Sequence, residues 1–256
     1  MEPAPARDVR PGWYAISVRP QGQHEALRRR VVALGGRLLA CSPARLEPLS
    51  CPALAQALGA DIVVFTSPAA VRFATREQPL SPRRGQLHLG VGSGTAGALR
   101  RAGVPAPRHP ARMQAEGLLA LPELQRVAGR SIGLVTAPGG RGVIAPALRE
   151  RGARLRVAEV YARRPRSLDA RERRALQATG DGAGVLVLSS GELFDTLWGQ
   201  LRPVDRERLR RLPAVVPGER LADRLRACGF RVRVAAGPGA GPMALAARHA
   251  VDHAFG

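Results

Sequence analysis

The sequence predicts an α/β protein with two doubly wound parallel-sheet lobes, and three observations lead to this fold class. Short apolar runs alternate with helical patterns along the chain, and only a few residues connect them. Such alternation is typical of parallel sheets with right-handed crossovers. Two proline-rich stretches, at 42–52 and 162–168, interrupt the alternation. Because proline continues neither a helix nor a central strand, we interpret both stretches as crossings between lobes.

The strands are predicted from short apolar runs bounded by turn residues, the pattern of strands that are buried on both faces of a parallel sheet. In chain order they are expected at 13–18, 37–41, 61–65, 87–91, 132–135, 155–161, 184–188, 214–216 and 231–235, and one more inside 104–124.

The helices are predicted from apolar residues at helical spacing, with glycine as a common stop. Pro146 is tolerated in a first turn, so it sets the start of one helix near Val143, and Gly152 is its expected C-cap. The helices are expected at about 23–34, 53–58, from 68 onward, up to 101, 117–121, 143–152, 169–177, 193–198, 219–228 and 243–251.

The two crossings predict a discontinuous arrangement, in which the middle of the chain is inserted into an outer lobe. About five strands are expected between the crossings. We predict a first lobe made of residues 1–46 and 167–256 and a second, inserted lobe made of residues 47–166.

Composition indicates a globular chain with a strong positive charge. The hydrophobic share is 45% and the aromatic share 4%, so Leu, Val and Ala must build the core. All 40 basic residues are arginine, and the net charge is +20. This charge favours polyanionic partners, namely nucleic acid, acidic membrane surfaces or small polycarboxylates. Most arginine clusters have Asp or Glu nearby, which is typical of solvated faces.

The three cysteines, Cys41, Cys51 and Cys228, show neither metal-ligand spacing nor an even disulfide framework. We therefore expect a reducing, cytoplasmic compartment. The first ten residues lack the apolar stretch of a signal peptide, and no apolar run is long enough to span a bilayer.

Several predicted strands end in small hydroxyl residues or glycine. In doubly wound sheets the carboxyl ends of the strands form the ligand crevice. Hydroxyls, helix N–H groups and Arg141 in its glycine-rich turn together suit a ligand with several acidic arms. For each residue alone, an N-cap or a plain turn is the simpler interpretation. The endings are Thr66-Ser67, Gly92-Ser93-Gly94-Thr95, Gly139-Gly140-Arg141, Ser189-Ser190-Gly191 and Pro217-Gly218.

Familiar catalytic sets are missing from the sequence, which has no G-x-S-x-G elbow, P-loop or H-E-x-x-H motif. The five histidines are scattered without ligand spacing, and the GSGTAG stretch at 92–97 is followed by no well-placed acid. Tyr161 is one of two tyrosines and ends a predicted strand beside the second crossing. A core or interface role is the default for such a residue.

The chain resembles the uroporphyrinogen-III synthase family over nearly its whole length. Each matching stretch is short, but their order and spacing agree with the family. The stretches are SVRPQGQ (17–23), VVFTSPAAVRF (63–73), GVGSGTAGAL (90–99), AEGLLALPEL (115–124), GGRGVIAPALRERGARLRVAEVYARRP (139–165), VLSSGEL (187–193) and VVPGERLADRLRACGF (215–230).

The resemblance implies two flavodoxin-like lobes, joined by two extended linkers with a cleft between them. It also implies an enzyme without cofactor or metal. The implied substrate is hydroxymethylbilane, a linear tetrapyrrole with eight carboxylates, which is cyclised to uroporphyrinogen III with inversion of ring D and loss of water. Catalysis by orientation would explain why no strong acid–base set is visible.

The resemblance also implies site residues. Tyr161 matches the tyrosine that assists departure of the hydroxyl group. Substrate binding is expected from Arg19, Thr66, Ser67, Gly92, Ser93, Thr95, Gly140, Arg141, Ser189, Ser190 and Gly218. One departure from the family is that Arg220 and Leu221 stand where some members have a threonine pair.

The sequence alone therefore leaves two classes of function open. The first is a uroporphyrinogen-III synthase, acting as a monomer on a small polycarboxylate without nucleic acid or membrane. The alternative is a non-enzymatic, basic, two-lobed protein that binds anions or nucleic acid. The 4% aromatic content speaks against nucleic acid, because single strands are bound by stacking on aromatic rings.

Overall fold

A computed structural model describes residues 12–139, 142–177 and 183–253. It divides into two compact units. The first contains the described residues up to Arg45 and those from Arg164 onward, and the second is Leu46–Arg163. The proline pattern placed these divisions after residues 46 and 166.

Eleven strands are found in the described residues. In chain order they are β1 (Tyr14–Val18), β2 (Arg37–Cys41), β3 (Ala44–Pro48), β4 (Ile62–Phe65), β5 (Leu87–Gly90), β6 (Ser131–Thr136), β7 (Arg154–Glu159), β8 (Tyr161–Pro165), β9 (Gly184–Leu188), β10 (Ala214–Val216) and β11 (Val232–Val234).

The helices alternate with these strands, and a short 3₁₀ turn at Pro122–Leu124 adds to them. They are α1 (Glu25–Ala33), α2 (Leu54–Leu58), α3 (Pro68–Glu77), α4 (Ser93–Arg101), α5 (Ala115–Leu119), α6 (Ile144–Glu150), α7 (Ala170–Gln177), α8 (Gly191–Gln200), α9 (Pro203–Arg210), α10 (Glu219–Ala227) and α11 (Ala240–Asp252). None of these described helices is both long and apolar enough to cross a bilayer.

The first unit is built on a five-stranded parallel sheet of order β11-β10-β9-β1-β2. Helices α1 and α11 cover one face, where Leu27 and Met243 enter the core. Helices α8 and α10 cover the other face with residues such as Phe194 and Leu225. Counted within the unit, the strand order is 2-1-3-4-5, the order of flavodoxin-like sheets.

The second unit is built on a four-stranded parallel sheet of order β5-β4-β6-β7. Helices α3 and α4 cover one face with residues such as Phe73 and Leu99. Helices α5 and α6 cover the other face with residues such as Leu118 and Leu148. The order is 2-1-3-4 within the unit. In both sheets the strand order therefore reverses beside the first strand, although all strands are parallel. The predicted fold class, doubly wound parallel sheets, is confirmed by this topology.

The proline-rich crossings contain strands that the sequence did not predict. β3 and β8 pair in a two-stranded sheet of their own. The amide of Leu49 donates to Val160 O at 3.1 Å, and the amide of Arg166 donates to Pro43 O at 2.8 Å. These bonds fix an antiparallel pairing. Proline is compatible with this pairing because both strands are edge strands, and Pro48 and Pro165 are their last residues.

Three further expectations were wrong. Tyr161 does not end the preceding strand, because β7 stops at Glu159 and Tyr161 begins β8. In 104–124 the expected strand is only a single bridge between Leu89 and Arg108. The inserted sheet has four strands rather than about five. Helix α9 was not predicted from the sequence.

Candidate active site

The candidate site in the second unit begins where β4 and β6 end side by side. Thr66 follows β4, and its Oγ1 donates to Thr136 Oγ1 at 2.9 Å. The Thr66 amide donates to Val135 O at 3.1 Å. This is the point at which the strand order reverses, where open α/β sheets bind ligands. The structure thus places the predicted residue Thr66 at the expected edge, with its hydroxyl already bonded to the neighbouring strand.

Ser67 and Tyr161 form the main side-chain contact of this edge. Ser67 is the N-cap of α3, and its Oγ accepts from the Ala70 amide at 3.0 Å. The same Oγ lies 3.0 Å from Tyr161 Oη, and either hydroxyl is able to donate. Tyr161 is only 3% exposed. The two residues predicted from separate stretches are therefore hydrogen-bonded, and the helix cap fixes the position of the phenol.

An aromatic stack holds the Tyr161 ring. Its centroid lies 5.2 Å from that of Phe73, and the ring planes differ by 15°. Phe73 is buried on the inner face of α3. The ring orientation is thus set by packing, while the Ser67 hydroxyl sets the position of Oη. No local pattern in the sequence marks this stack, since it pairs residues from distant elements.

The glycine-rich start of α4 lies next to the start of α3. A Cβ on Gly94 would lie 3.8 Å from Pro68 Cγ. The Ser93 amide and hydroxyl lie 3.4 and 3.2 Å from the Met113 sulfur, a weak acceptor. A Cβ on Gly92 would lie 3.2 Å from Met113 Cβ. Met113 therefore contacts the exposed Ser93, one of the residues predicted to bind a ligand.

The remaining predicted residues of this unit differ in their placement. Thr95 is buried, and its Cβ faces Gly90 rather than solvent. Gly139 adopts the positive φ of 67° expected for its turn. Gly140 and Arg141 lie outside the described residues. The structure thus supports substrate binding by Ser67 more directly than by Thr95.

The candidate site in the first unit lies where β1 and β9 end. Arg19 follows β1, and its amide donates to Cys41 O at 3.2 Å. Its Nε is buried and has no hydrogen-bond partner among the described residues. Burial lowers the pKa of Arg19 below its ordinary value. A cation held in this way is well suited to an anionic ligand, as the sequence analysis expected.

His24 is a polar residue that the sequence analysis passed over. The imidazole is 6% exposed, with Nδ1 3.0 Å from Ser17 Oγ and Nε2 3.0 Å from Ser42 Oγ. Burial, followed by the charges of Arg19 and Arg28, lowers the pKa of His24 to about 4. A neutral imidazole donates from one nitrogen and accepts at the other, so it satisfies one hydroxyl in each direction. No local sequence signal marks this bridge between the ends of β1 and β2.

Ser42 joins the same network through its backbone. Its amide donates to Glu172 Oε1 at 2.9 Å, and its carbonyl accepts from Arg166 Nη1 at 2.7 Å. Arg166 and Glu172 are themselves paired at 2.7 Å. The first crossing is therefore anchored to the start of the last third of the chain by a hydrogen-bonded ion pair.

The other predicted residues of the first unit lie at the same edge. Ser189 Oγ donates to Val18 O at 3.3 Å. Ser190 caps α8 by accepting from the Leu193 amide at 3.4 Å. Gly218 caps α10 through its backbone alone, with open space where a side chain would lie. Leu221, where some family members have threonine, packs against the core.

Comparison with known proteins decides the family. A family model described as Uroporphyrinogen-III synthase HemD matches residues 25–244. The uroporphyrinogen-III synthase of Salmonella typhimurium (strain LT2) is 33% identical over 230 residues, which cover 84% of this chain and 92% of the relative. That of Escherichia coli (strain K12) is 30% identical over 226 residues, with the same coverage. The chain belongs to the uroporphyrinogen-III synthase family.

Solved structures of uroporphyrinogen-III synthases share the fold. The Helicobacter pylori structure has a TM-score of 0.63 at 14% identity, covering 92% of this chain and 98% of that one. The structure of a mutant from the extreme thermophile Thermus thermophilus has a TM-score of 0.58 at 22% identity, covering 94% of this chain and 100% of that one. At such identities the likeness concerns the fold alone.

Family membership confirms the resemblance seen in the sequence and the function derived from it. The protein is an enzyme of porphyrin and haem biosynthesis, a cyclising lyase, and the non-enzymatic alternative is not favoured. Within the described residues, no group of three or more His, Cys, Asp or Glu residues is placed to hold a metal ion.

Proposed function

We propose that this uroporphyrinogen-III synthase cyclises hydroxymethylbilane to uroporphyrinogen III, with Tyr161 assisting departure of the hydroxyl group. The observation that carries the role of Tyr161 is its 3.0 Å hydrogen bond to Ser67 at the carboxyl edge of the sheet. This bond holds a phenol, which is both a donor and an acceptor, at the place where doubly wound sheets bind ligands.

The hydrogen bonds allow Tyr161 to donate its proton outward. Ser67 Oγ accepts from the Ala70 amide, so its own proton is available for Tyr161 Oη. With that orientation the Tyr161 proton is available for donation to a substrate hydroxyl. Hydrogen bonds in such a chain polarise one another, which strengthens the phenol as a donor.

The proposed reaction begins with loss of water from the hydroxymethyl group. The C–O bond of the hydroxymethyl group breaks, the Tyr161 proton joins the hydroxyl, and water leaves. The nitrogen of the pyrrole that carries the hydroxymethyl group supplies the electron pair, and this pyrrole becomes a cationic azafulvene. The substituted α-carbon of the last pyrrole attacks the azafulvene methylene and gives a spiro intermediate. The bond from that carbon to its bridging methylene then breaks, and the methylene bonds to the other, free α-carbon of the same pyrrole. The ring is thereby closed with the last pyrrole inverted. The proton released when the pyrrole regains aromaticity returns to the Tyr161 oxygen.

Carboxylate binding is proposed at both strand-end edges, each in its own unit. Backbone N–H groups at helix starts and the partly buried Arg19 supply the positive field that carboxylates need. Most hydroxyls of the set are bonded within their units, so we assign the larger share of binding to N–H groups and to arginine. The proposed set is Arg19, Thr66, Ser67, Gly92, Ser93, Thr95, Gly140, Arg141, Ser189, Ser190 and Gly218.

The test of the reaction supplies enzymatically made hydroxymethylbilane and separates the oxidised products by isomer. We expect type III, because spontaneous closure without inversion gives type I. Formation of type I alone would overturn the proposed reaction.

The test of Tyr161 uses Tyr161→Phe, which keeps the stack on Phe73 and removes the proton donor. We expect kcat to fall by about 10²-fold or more, the usual contribution of a positioned acid. The melting temperature should change little. Ser67→Ala should produce a smaller fall, because the phenol remains but loses its partner. An unchanged kcat in Tyr161→Phe would remove its role.

We further infer a cytoplasmic monomer that needs neither nucleic acid nor membrane. The inference is supported by the cysteine pattern and by the scarcity of aromatic residues. Light scattering of the purified protein measures the oligomeric state, and a salt-dependent DNA shift assay measures nucleic-acid binding. A stable dimer or a specific DNA complex would contradict it.

A further inference from the structure

Two arginines of α3 gather on the ring that supports Tyr161. Arg72 and Arg76 lie one turn apart, and their Cζ atoms are 5.0 and 5.4 Å from the Phe73 centroid. Tyr161 stacks on the same ring at 5.2 Å. Two guanidinium groups and the phenol of the proposed acid therefore share one phenyl ring.

These guanidinium groups have no acidic partner in the described part of the chain. Arg72 Nε is buried there without any hydrogen-bond partner. Glu77, the carboxylate nearest along the helix, accepts from the Cys51 amide at 3.4 Å instead. Like charges one turn apart destabilise a helix. Burial, followed by the charge of Arg76, lowers the pKa of Arg72, while Tyr161 acts in the opposite direction. The two positive charges of Arg72 and Arg76 therefore repel each other, and a bound anion would offset this repulsion.

Other arginines of the protein show what an ordinary surface pair is. Arg226 pairs with Glu219 at 3.1 Å and with Asp223 at 2.8 Å. Arg224 pairs with Asp195. These two cations of α10 are thus neutralised by the chain itself. The α3 pair differs because its ring contacts fix two cations without supplying an anion.

We propose that Arg72 and Arg76 bind carboxylate arms of the linear tetrapyrrole and so hold its hydroxymethyl end against Tyr161. This inference rests on the proposed function. A guanidinium group presents a planar fork of donors that matches a carboxylate, and such charge-assisted bonds are the strong ones. Residues 66, 67 and 161 supply the hydroxyls of the edge, and α3 supplies the cations. The specificity of the site for a carboxylate-rich substrate would then begin on this helix.

The kinetic test compares Arg72→Gln, Arg76→Gln and the double variant with the wild type on hydroxymethylbilane. We expect KM to rise about tenfold for each single variant and further for the double variant, because each loses a charge-assisted bond. The type III isomer should remain the product. A double variant with KM within twofold of the wild type would overturn the inference.

A matched control removes two positive charges elsewhere in the same unit. Arg100→Gln/Arg101→Gln acts at the last turn of α4, where both arginines are exposed. We expect its KM to stay within twofold, and a rise as large as in the α3 double variant would attribute the effect to net charge alone. Arg72→Lys keeps the charge without the fork, and it should recover only part of the lost affinity. If Arg72→Gln does not fold, Arg76→Gln on the exposed turn still decides.

A binding test separates this inference from the proposed reaction. The probe is uroporphyrin III, a stable octacarboxylate, titrated by fluorescence against its octamethyl ester. We expect the α3 double variant to bind the acid at least about tenfold more weakly than the wild type does. The control variant should bind the acid as the wild type does. The ester should bind to none of the three proteins. Equal Kd values for wild type and double variant would overturn the inference. A wild type that makes only the type I isomer would defeat the proposed reaction, while the titration would still report on the arginines.

Discussion

The two units share a strand order but differ in what stands beside their first strands. In the first unit a neutral His24 bridges two serine hydroxyls, and the partly buried Arg19 has a buried Nε without a hydrogen-bond partner among the residues described. In the second unit the edge carries four hydroxyls, from Thr66, Thr136, Ser67 and Tyr161, joined in two pairs. One topology thus presents a buried imidazole beside Arg19 in one unit and two hydroxyl pairs in the other. The sheet supplies the place, while the residues after each strand supply the chemistry.

The third strand of each sheet provides the strongest test of how alike the two units are. A Cβ on Gly133 in β6 would lie 1.9 Å from Ala57 O, a backbone atom of α2. A Cβ on Gly184 in β9 would lie 2.3 Å from the Tyr14 ring. We expect Gly133→Ala to destabilise the second unit by about 3 kcal/mol or more, since overpacking against backbone has no cheap relief.

Gly184→Ala should cost less, because the Tyr14 side chain is able to shift. Urea unfolding monitored by limited proteolysis of each unit measures both changes. Gly199→Ala on the exposed face of α8, with open space around it, is the control and should be neutral or slightly stabilising. A larger loss of stability in Gly184→Ala than in Gly133→Ala would show that contact with backbone does not set the cost.

Acid should weaken the first unit through His24. Its pKa is about 4 in the folded protein against an ordinary 6.5, so the unfolded state binds more protons between these values. The free energy of unfolding therefore falls as the pH drops from 6.5 towards 4, by about 3 kcal/mol in all. Urea unfolding at pH 7, 5.5 and 4.5 measures this loss.

His24→Leu tests the origin of that pH dependence. It should cost about 2 kcal/mol at pH 7, because the hydroxyls of Ser17 and Ser42 lose their buried partner. The curves of wild type and variant should converge as the pH falls, since only the wild type has an imidazole to charge. Parallel curves would show that another group causes the loss. His253→Gln at the exposed C-terminal end of α11 is the matched control.

The anchor of the first crossing should give a smaller effect. Glu172→Gln keeps the shape of the side chain but removes the charge that Arg166 and the Ser42 amide share. We expect a loss of about 1–2 kcal/mol in the free energy of unfolding, because the half-buried Arg166 then keeps only the more exposed Asp169 as an anion. No change in the urea midpoint would show that the pair is a passive contact.

The smallest effect is expected on α10. Arg226→Gln breaks two ion pairs that are open to solvent. Such pairs contribute little, because water and salt screen both charges and long side chains lose entropy when fixed. The urea midpoint should not move measurably. A clear shift would mean that the surface network of the first unit stabilises it more than its exposure indicates.

The buried strands could be predicted from sequence because a parallel strand in a doubly wound sheet is a short apolar run. β2, β9 and β10 begin and end where that pattern does. Helix α9 was missed because its sequence PVDRERLR has few apolar residues, and its buried Asp205 is paired with Arg202. β3 and β8 were missed because they are stabilised by each other across a long stretch of chain, not by a local pattern.

The candidate site was only partly accessible to the same reasoning. Strand ends pointed to Thr66, Ser67 and Ser189 because parallel strands share one carboxyl edge. The bond between Ser67 and Tyr161 depends on how α3 packs on its sheet, and no spacing in the sequence reveals it. The same holds for the ring contacts of Arg72 and for the two serines that meet His24.

The inserted position of the second unit has a consequence for how the protein is made. Every strand of the four-stranded sheet lies in one continuous segment, so that sheet is complete as soon as β7 has left the ribosome. The first unit must wait, because β1 pairs on one side with β9, which is synthesised later. The inner unit thus has time to fold first, and the pairing of β3 with β8 then brings both severed parts of the outer sheet together. For the outer unit, the folded insert brings the two ends of the intervening chain close together. The effective loop between β2 and β9 is then short, which lowers the entropy cost of closing the outer sheet.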